Sequence, residues 1–259
     1  MGILDKFHKK KQTKPPEVSP GGSTIYRYKT PEDRGWQPPR SVRCYGEEVT
    51  EHFQALFPNR KAFVFHELIS DLVHIDINIL QPTEKDDYYV LYTTGMSDLP
   101  MTLPGEIADR EDLKYCELYL FLPGGWNLGK TGDLNSDLPA SSYWPIGLLK
   151  FLARFPHDYK TWLGWGHTVP NGPQYAPLAE DVDFGGAALA QPSCVPPLKS
   201  KDGAEVKFYM VIPAYREEIE YKLKYGMEEL GKRFAEGGLS LVLDPHRPNL
   251  CAGFTEVLD

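Results

Sequence analysis

The chain has 259 residues, 41% of them hydrophobic and 12% aromatic, which is enough apolar content for one large core or two small ones and excludes disorder of the whole chain. Its 28 Lys and Arg against 36 Asp and Glu give a formal net charge of −8, and such a field argues against nucleic acids and anionic membranes as partners. The 23 glycines and 23 prolines indicate many turns between short elements, which excludes an all-helical bundle.

The first 24 residues join a short basic head to a stretch rich in Pro, Gly and Ser, without a hydrophobic period. We therefore predict a flexible segment over residues 1–24 and a single domain over residues 25–259. The start of the chain lacks a signal peptide, and no apolar run approaches the roughly 18 residues of a membrane helix. The four cysteines form no CxxC pair. These features predict a cytoplasmic protein with reduced thiols.

Hydrophobic spacing predicts the elements in chain order. A helix is expected from residue 47 and is stopped by Pro58 and Asn59, and strict alternation over residues 72–80 predicts a half-buried strand. Further strands are predicted at residues 88–94, 116–123 and 206–213, the first of them forming a hairpin with 72–80, and further helices at 143–155 and 214–238. Because strands and helices do not alternate regularly, we predict an α/β fold of the α+β kind: a mixed, largely antiparallel β-sheet flanked by helices.

The predicted helix over residues 214–238 is amphipathic. Its apolar stripe consists of Ile219, Leu223, Met227, Leu230 and Phe234. Spacing of four residues also predicts ion pairs of Glu218 with Lys222 and of Glu220 with Lys224.

Residues 124–131, GGWNLGKT, match the phosphate-binding pattern GxxxxGK[ST] directly after a predicted strand. That loop needs a helix to begin at Lys130 and Thr131, so that helical amides face the phosphates. The residues that follow, GDLNSDLPASS, have no helical period. We favour a surface loop, and a nucleotide-binding enzyme remains an alternative that ATP titration of a Lys130→Ala variant would test.

Metal and catalytic patterns are incomplete. His74 and Asp76 share one face of a predicted strand, with His66 and Glu67 nearby, but spacing assigns no further ligands, so a polar strand face is favoured. Asp181 and Asp183 resemble the start of a calcium loop that lacks its later ligands. No GxSxG, HExxH or papain-type cysteine pattern occurs. We therefore assign no catalytic, cofactor-binding or metal residues and expect no enzymatic activity.

Five blocks follow one another over roughly residues 45–250. They are VHIDINILQPT, VLYTTGMSDLPM, CELYLFLP, YWPIGLLKFLARFPHDYKTWLGWGHTVPNG and VIPAYREEIEYKLKYGMEELGKRF. Together they resemble the Suppressor of Fused domain family, in the form of its bacterial single-domain members. The resemblance implies a mixed α/β domain that binds protein and is not an enzyme.

The resemblance also implies candidate partners. The similar eukaryotic protein sequesters a transcription factor by gripping a short peptide, but Pro100 stands where that relative has a peptide-contacting tyrosine, so this partner is not expected. Bacterial members look like immunity proteins that neutralise a cognate toxin in the cytoplasm, and the acidic charge suits a basic toxin. A scaffold or regulator that sequesters a peptide-bearing partner is the other open interpretation.

Candidate partner-binding residues are drawn from Gly-rich turns and acid-rich loops, where a rigid sheet presents its contacts. They are Ser97, Asp98, Trp144, His167, Glu180, Asp181 and Asp183. Trp126, Trp162 and Trp165 are further possible interface anchors, although tryptophan more often packs in a protein's own core.

Overall fold

The computed structural model describes residues 17–28, 35–129 and 138–254. Its strands are β1 (Glu17–Val18), β2 (Thr24–Ile25), β3 (Ala62–Phe65), β4 (Asp76–Leu80), β5 (Tyr88–Thr94), β6 (Tyr115–Pro123), β7 (Thr168–Pro170), β8 (Gly186–Ala190), β9 (Leu198–Lys199) and β10 (Glu205–Ala214). Its helices are α1 (Gly46–Leu56), α2 (Ala140–Asp158), α3 (Arg216–Tyr225) and α4 (Met227–Glu236). None of these helices combines the length and apolar character needed to cross a bilayer.

Eight strands form one mixed sheet in the order β3-β4-β5-β6-β10-β8-β7, with β9 paired to the start of β10. Strands β6 and β10 run parallel, and the other neighbours are antiparallel. This confirms the predicted mixed, largely antiparallel sheet flanked by helices and the hairpin of β4 with β5. The parallel pairing of two strands that are distant in sequence was not predicted.

The sheet separates two apolar layers because alternate residues of each strand point to opposite faces. On one face Ile77, Ile79, Leu118 and Leu120 pack under α2. On the other face Tyr92, Tyr119 and Phe208 pack under α1, whose Phe53 lies flat against Tyr92 with ring centroids 4.0 Å apart. Cys116 is buried on the α2 face, with its sulfur 3.7 Å from that of Met101.

The prediction of a single amphipathic helix over residues 214–238 is wrong, because the chain forms two helices that meet at Gly226. This glycine has φ 92° and ψ 166°, a backbone conformation that side chains with a Cβ avoid. Beyond it, Leu230 and Phe234 of α4 pack with Cys251 in a third, smaller apolar cluster. Helical spacing continues across the break, which is why hydrophobic periodicity does not reveal it.

The segment predicted to be flexible through residue 24 is described from residue 17 onward, and there it forms a small ribbon of β1 and β2. The amide of Gly21 donates to the carbonyl of Leu223 at 2.8 Å. A Cβ at Gly21 would lie 2.5 Å from the backbone nitrogen of Gly226. The ribbon therefore packs closely against the junction of α3 and α4.

Candidate functional site

An open pocket of about 410 Å³ lies where three segments meet. The ribbon contributes residues between Gly21 and Tyr26, the loop before β7 contributes Trp162 to His167, and the α3–α4 junction contributes Lys222 to Glu228. We call it the Lys222 pocket. Its volume is within the range of sites that hold small ligands or the side chains of a peptide.

Lys222 is the unusual residue of this pocket, because it is 95% buried, with 5% of its surface exposed. Burial alone lowers the pKa of its ammonium group to about 8, and no neighbouring carboxylate offsets that effect. At neutral pH the protein therefore holds a mostly charged, desolvated ammonium group without an ion-pair partner among the described residues. A buried charge in this state is costly until an anion pairs with it.

The prediction of an ion pair between Glu218 and Lys222 is wrong, because the carboxylate of Glu218 pairs with another cation. Arg247, distant in sequence, donates to both oxygens of Glu218 at 2.6 Å. The next acid along the helix, Glu220, accepts from the Arg216 guanidinium at 2.7 Å. Bidentate arginine–carboxylate pairing is stronger than a lysine contact of the same length, so Lys222 is left without either acid.

Aromatic rings form the walls and the rim of the pocket. Trp165 and Tyr225 are 53% and 45% exposed, which is high for such large apolar side chains. Trp162 lies deeper, and its indole nitrogen is buried without a hydrogen-bond partner among the described residues. Because this donor is buried, Trp162 contributes an apolar wall to the pocket and no polar contact.

His167 packs edge-on against Trp162, with ring centroids 4.3 Å apart. Burial is the main reason that its pKa falls to about 4, and the charge of Lys222 lowers it further. The imidazole is therefore neutral at neutral pH, and Lys222 is the cation of the pocket interior. The carboxylate of Glu228 lies at the exposed rim.

A cation without an ion-pair partner among the described residues, beside exposed aromatic rings, suits a carboxylate that is attached to an apolar group. Sequence reasoning singled out His167, Trp162 and Trp165 separately, and the fold brings them together. It missed Lys222, because an acid four residues earlier in the helix seemed to satisfy this lysine.

Ser97, predicted to contact a partner, is instead buried in a polar cluster. Its amide and hydroxyl donate to Oε1 of Glu117 at 2.9 and 2.6 Å, and the hydroxyl of Thr93 donates to Oε2 at 2.5 Å. Glu117 is fully buried, and this raises its pKa to about 7. The neighbouring Asp98 is half-buried, and desolvation raises its pKa to about 6. This cluster fixes the turn after β5 and leaves Ser97 no exposed surface.

Trp144, also predicted at the partner surface, is buried in the α2 core, where its ring approaches those of Trp126 and Phe184. Glu180, Asp181 and Asp183 are exposed, as the sequence suggested, while the intervening Val182 is buried and anchors the loop. We call residues 180–183 the acidic loop. The fold thus leaves this loop as the exposed part of the predicted surface, while Asp98 and His167 are partly buried.

The phosphate-binding pattern and the metal-ligating side chains lie in two different parts of the chain. Gly124 to Gly129 of the phosphate-binding pattern form a turn and loop after β6, while Lys130 and Thr131 lie outside the described residues. Among the described residues, one group could hold a metal ion, and it consists of His66, His74 and Asp76. It lies at the opposite part of the sheet order, beside β3 and β4.

A sequence model described as Suppressor of fused protein (SUFU) matches residues 71–248, which is more than half of the chain. The match includes the loop before β7 and both helices of the Lys222 pocket, but not the ribbon that covers its third side. Curated proteins give no significant match.

Three solved structures resemble the fold. A SUFU homologue from Neisseria gonorrhoeae superposes with a TM-score of 0.57 at 18% identity, covering 80% of this chain and 96% of that one. A chain of the Sufu–Fu complex superposes with a TM-score of 0.56 at 16% identity, covering 86% and 100%. Drosophila Suppressor of Fused gives 0.57 at 15% identity, with 81% of this chain covering 52% of that protein. At these identities the likeness supports the fold.

Proposed function

We propose that this chain, which belongs to the Suppressor of fused family, is a protein-binding module that holds a carboxylate-bearing segment of a partner in the Lys222 pocket. The observation that carries the proposal is the buried Lys222, without an ion-pair partner among the described residues, at an open pocket with exposed aromatic rings. The related Sufu in one of the superposed structures is in a complex with Fu.

Binding would relieve the energetic cost of the free state. An incoming carboxylate pairs with the ammonium of Lys222, and such charge-assisted hydrogen bonds are about twice as strong as neutral ones. Trp165 and Tyr225 at the rim supply apolar area with few rotatable bonds, as anchors of protein interfaces do. The expected ligand is an Asp, a Glu or a chain terminus next to an apolar residue.

A displayed random-peptide library tests this proposal. Peptides are selected on the wild-type chain, and those that also bind a Lys222→Met variant are removed. We expect the remaining peptides to contain a carboxylate beside an apolar residue, and their affinity to fall at least about tenfold in Lys222→Met, the loss of one charged hydrogen bond. The exposed Lys232→Met on α4 is the matched control and should bind as wild type. Selected peptides that need neither a carboxylate nor Lys222 would refute the site.

A finer proposal concerns the partner, which we infer to be a cognate toxin that the chain neutralises in the cytoplasm as an immunity protein. The net charge of −8 and the exposed acidic loop favour a partner that is basic overall. A long-range acidic field and a local cationic pocket are compatible, since the first sets the encounter rate and the second anchors one group.

Growth rescue tests the toxin proposal. The product of the adjacent reading frame is expressed with the wild-type chain or with Lys222→Met, after both have been shown to fold. Rescue by wild type and its loss in the variant supports a toxin bound at the Lys222 pocket. Absence of toxicity from the neighbouring product would contradict the immunity role and leave the peptide experiment as the separate test of binding.

A further inference from the structure

The start of β4 and the end of β3 bring three metal-ligating side chains together. The two strands pair antiparallel with Phe65 opposite Ile77, so one step further places His66 opposite Asp76. His74 precedes Asp76 by two residues and therefore lies on the same side of the extended chain. Sequence spacing alone pointed to His74 and Asp76, and the register supplies the third member.

The distances within this cluster match those of metal ligands. Nδ1 of His66 lies 3.0 Å from Oδ2 of Asp76, and Nε2 of His74 lies 3.0 Å from Oδ1. One ligand atom from each side chain lies within 4.8 Å of the others. Ligand atoms around a four-coordinate zinc ion are roughly 3.3 Å apart, given bonds near 2.0–2.1 Å. Small rotations of exposed imidazoles would close the remaining gap.

A second layer of hydrogen bonds orients the ligands. The hydroxyl of Ser70 lies 2.6 Å from Nδ1 of His74, which leaves Nε2 facing Asp76. The amide of Glu67 donates to Oδ1 of Asp76 at 3.0 Å. Partners of this kind fix ring orientation at metal sites and raise affinity.

Glu67 itself supports the loop and is not a candidate ligand. Its carboxylate accepts from the guanidinium of Arg154 and from the amide of Ile75, so Arg154 is neutralised. Lys150 is the other cation nearby, and its ammonium lies 4.4 Å from the centre of the Phe65 ring. The side of the cluster that faces solvent remains open, since the side chains of His66 and His74 are 68% and 46% exposed.

We propose that His66, His74 and Asp76 bind a divalent transition-metal ion of the zinc class, with water in the remaining coordination positions. Two imidazoles and one carboxylate favour such an ion over Mg²⁺ or Ca²⁺, which take oxygen ligands. The ion would join the end of β3 to the start of β4. It would thereby fix the intervening loop, which exposes Leu68 and Ile69 beside Trp36, whose indole N–H donates to the carbonyl of Ser70 at 2.8 Å.

Titration of the chelator-treated full chain with ZnCl₂, followed by calorimetry, tests this site. We expect saturable binding of a single ion, weakened at least about tenfold in His66→Ala and in His74→Ala. His66→Ala is the primary variant because it lies at the exposed end of β3 and should leave the fold intact. The exposed His246→Ala, elsewhere on the surface, is the matched control and should bind as wild type.

Substitution with Co²⁺ distinguishes this cluster from the exposed thiols of Cys44 and Cys194. The expected visible spectrum shows ligand-field bands without a thiolate charge-transfer band, and those bands disappear in His66→Ala. Absence of saturable uptake, uptake unchanged in both histidine variants, or a thiolate band would each overturn the proposal.

Discussion

Lys222, His167 and Glu117 are ionisable side chains that the fold largely buries, and burial shifts the pKa of each toward the neutral form. They differ in whether neighbouring groups form hydrogen bonds or ion pairs with them. Glu117 accepts three hydrogen bonds, whereas Lys222 has no carboxylate partner among the described residues. Burial with satisfied hydrogen bonds is typical of a structural role, and burial without a partner is typical of a binding site.

Replacement of Lys222 by methionine should stabilise the free protein. The pKa of this lysine is about 8 in the folded chain, below its ordinary value of 10.5, so its full stability contribution is present above pH 10.5 and is lost as the pH falls through 8. At pH 7 Lys222→Met should therefore raise the free energy of unfolding by about 1–3 kcal/mol, measured by urea denaturation. Lys232→Met should change it little. A decrease in Lys222→Met would show that the ammonium already has a partner.

The contribution of Glu117 to folding stability should depend on pH in the opposite direction to that of Lys222. Its pKa of about 7 exceeds its ordinary value of 4.5, so its stabilising contribution is complete below pH 4.5 and is lost as the pH rises through 7. Glu117→Gln should gain stability relative to wild type by about 1–3 kcal/mol between pH 5 and pH 8. The exposed Glu180→Gln should follow the wild-type curve. Parallel curves for wild type and Glu117→Gln would mean that the carboxyl group does not titrate in this range.

At the level of elements, the junction of α3 and α4 shapes the Lys222 pocket. The break at Gly226 directs α4 away from the axis of α3, and the ribbon packs into the resulting notch through Gly21. Gly226, whose φ is positive, therefore helps to shape the pocket.

Gly226→Ala tests this contribution. At φ 92° and ψ 166° a Cβ is strained, so the variant should lose about 1–3 kcal/mol of stability and bind the selected peptide more weakly. Gly231→Ala within α4 is the matched control, because a Cβ there meets no atom within 4 Å. It should gain about 0.5–1 kcal/mol. Thermal unfolding measures both changes, and equal shifts of the melting temperature in the two variants would contradict the role of the junction.

Much of the element structure follows from the sequence, because hydrophobic spacing reports which residues face a core. The alternation of Ile77 and Ile79 correctly predicts the face of β4 that packs under α2, although the opposite face is buried as well, and helical spacing predicts α1 and α2. The break at Gly226 and the parallel pairing of β6 with β10 are set by tertiary contacts, which local periodicity does not contain. Ser97 lies in a segment that resembles a surface turn and Trp144 lies in a predicted helix, but the Glu117 cluster and the α2 core bury them.

The site was predictable in part. His167 was identified from its sequence context, but Lys222 lacks its predicted carboxylate because Arg247, 29 residues beyond Glu218, pairs with that glutamate. The spacing of His74 and Asp76 was visible in the sequence, whereas His66 joins them only through strand register. Contacts between residues that are distant in sequence therefore determine which side chains form each site.

At the level of the whole molecule, net charge should control how fast a basic partner arrives. Replacing Glu180, Asp181 and Asp183 by lysine makes the formal net charge of −8 less negative. The three side chains are exposed, so the buried groups stay in place. We expect the association rate with a basic partner to fall several-fold at low salt, and this difference to shrink at high salt, in stopped-flow measurements. Dissociation should change little. An unchanged association rate at low salt would exclude the acidic loop from steering.

The proposed role of Lys222, as the cation that anchors a partner's carboxylate, is tested most directly by calorimetry of a selected acidic peptide at pH 7 and pH 9. With a pKa of about 8, the ammonium loses most of its charge over this interval, while His167 is already neutral and Glu228, Tyr26 and Tyr225 are the other ionisable groups of the pocket. We expect the affinity of the wild type to fall about tenfold at pH 9, and binding to Lys222→Met to be weak at both pH values. Equal affinity at the two pH values in wild type, or wild-type affinity in the variant, would contradict this role.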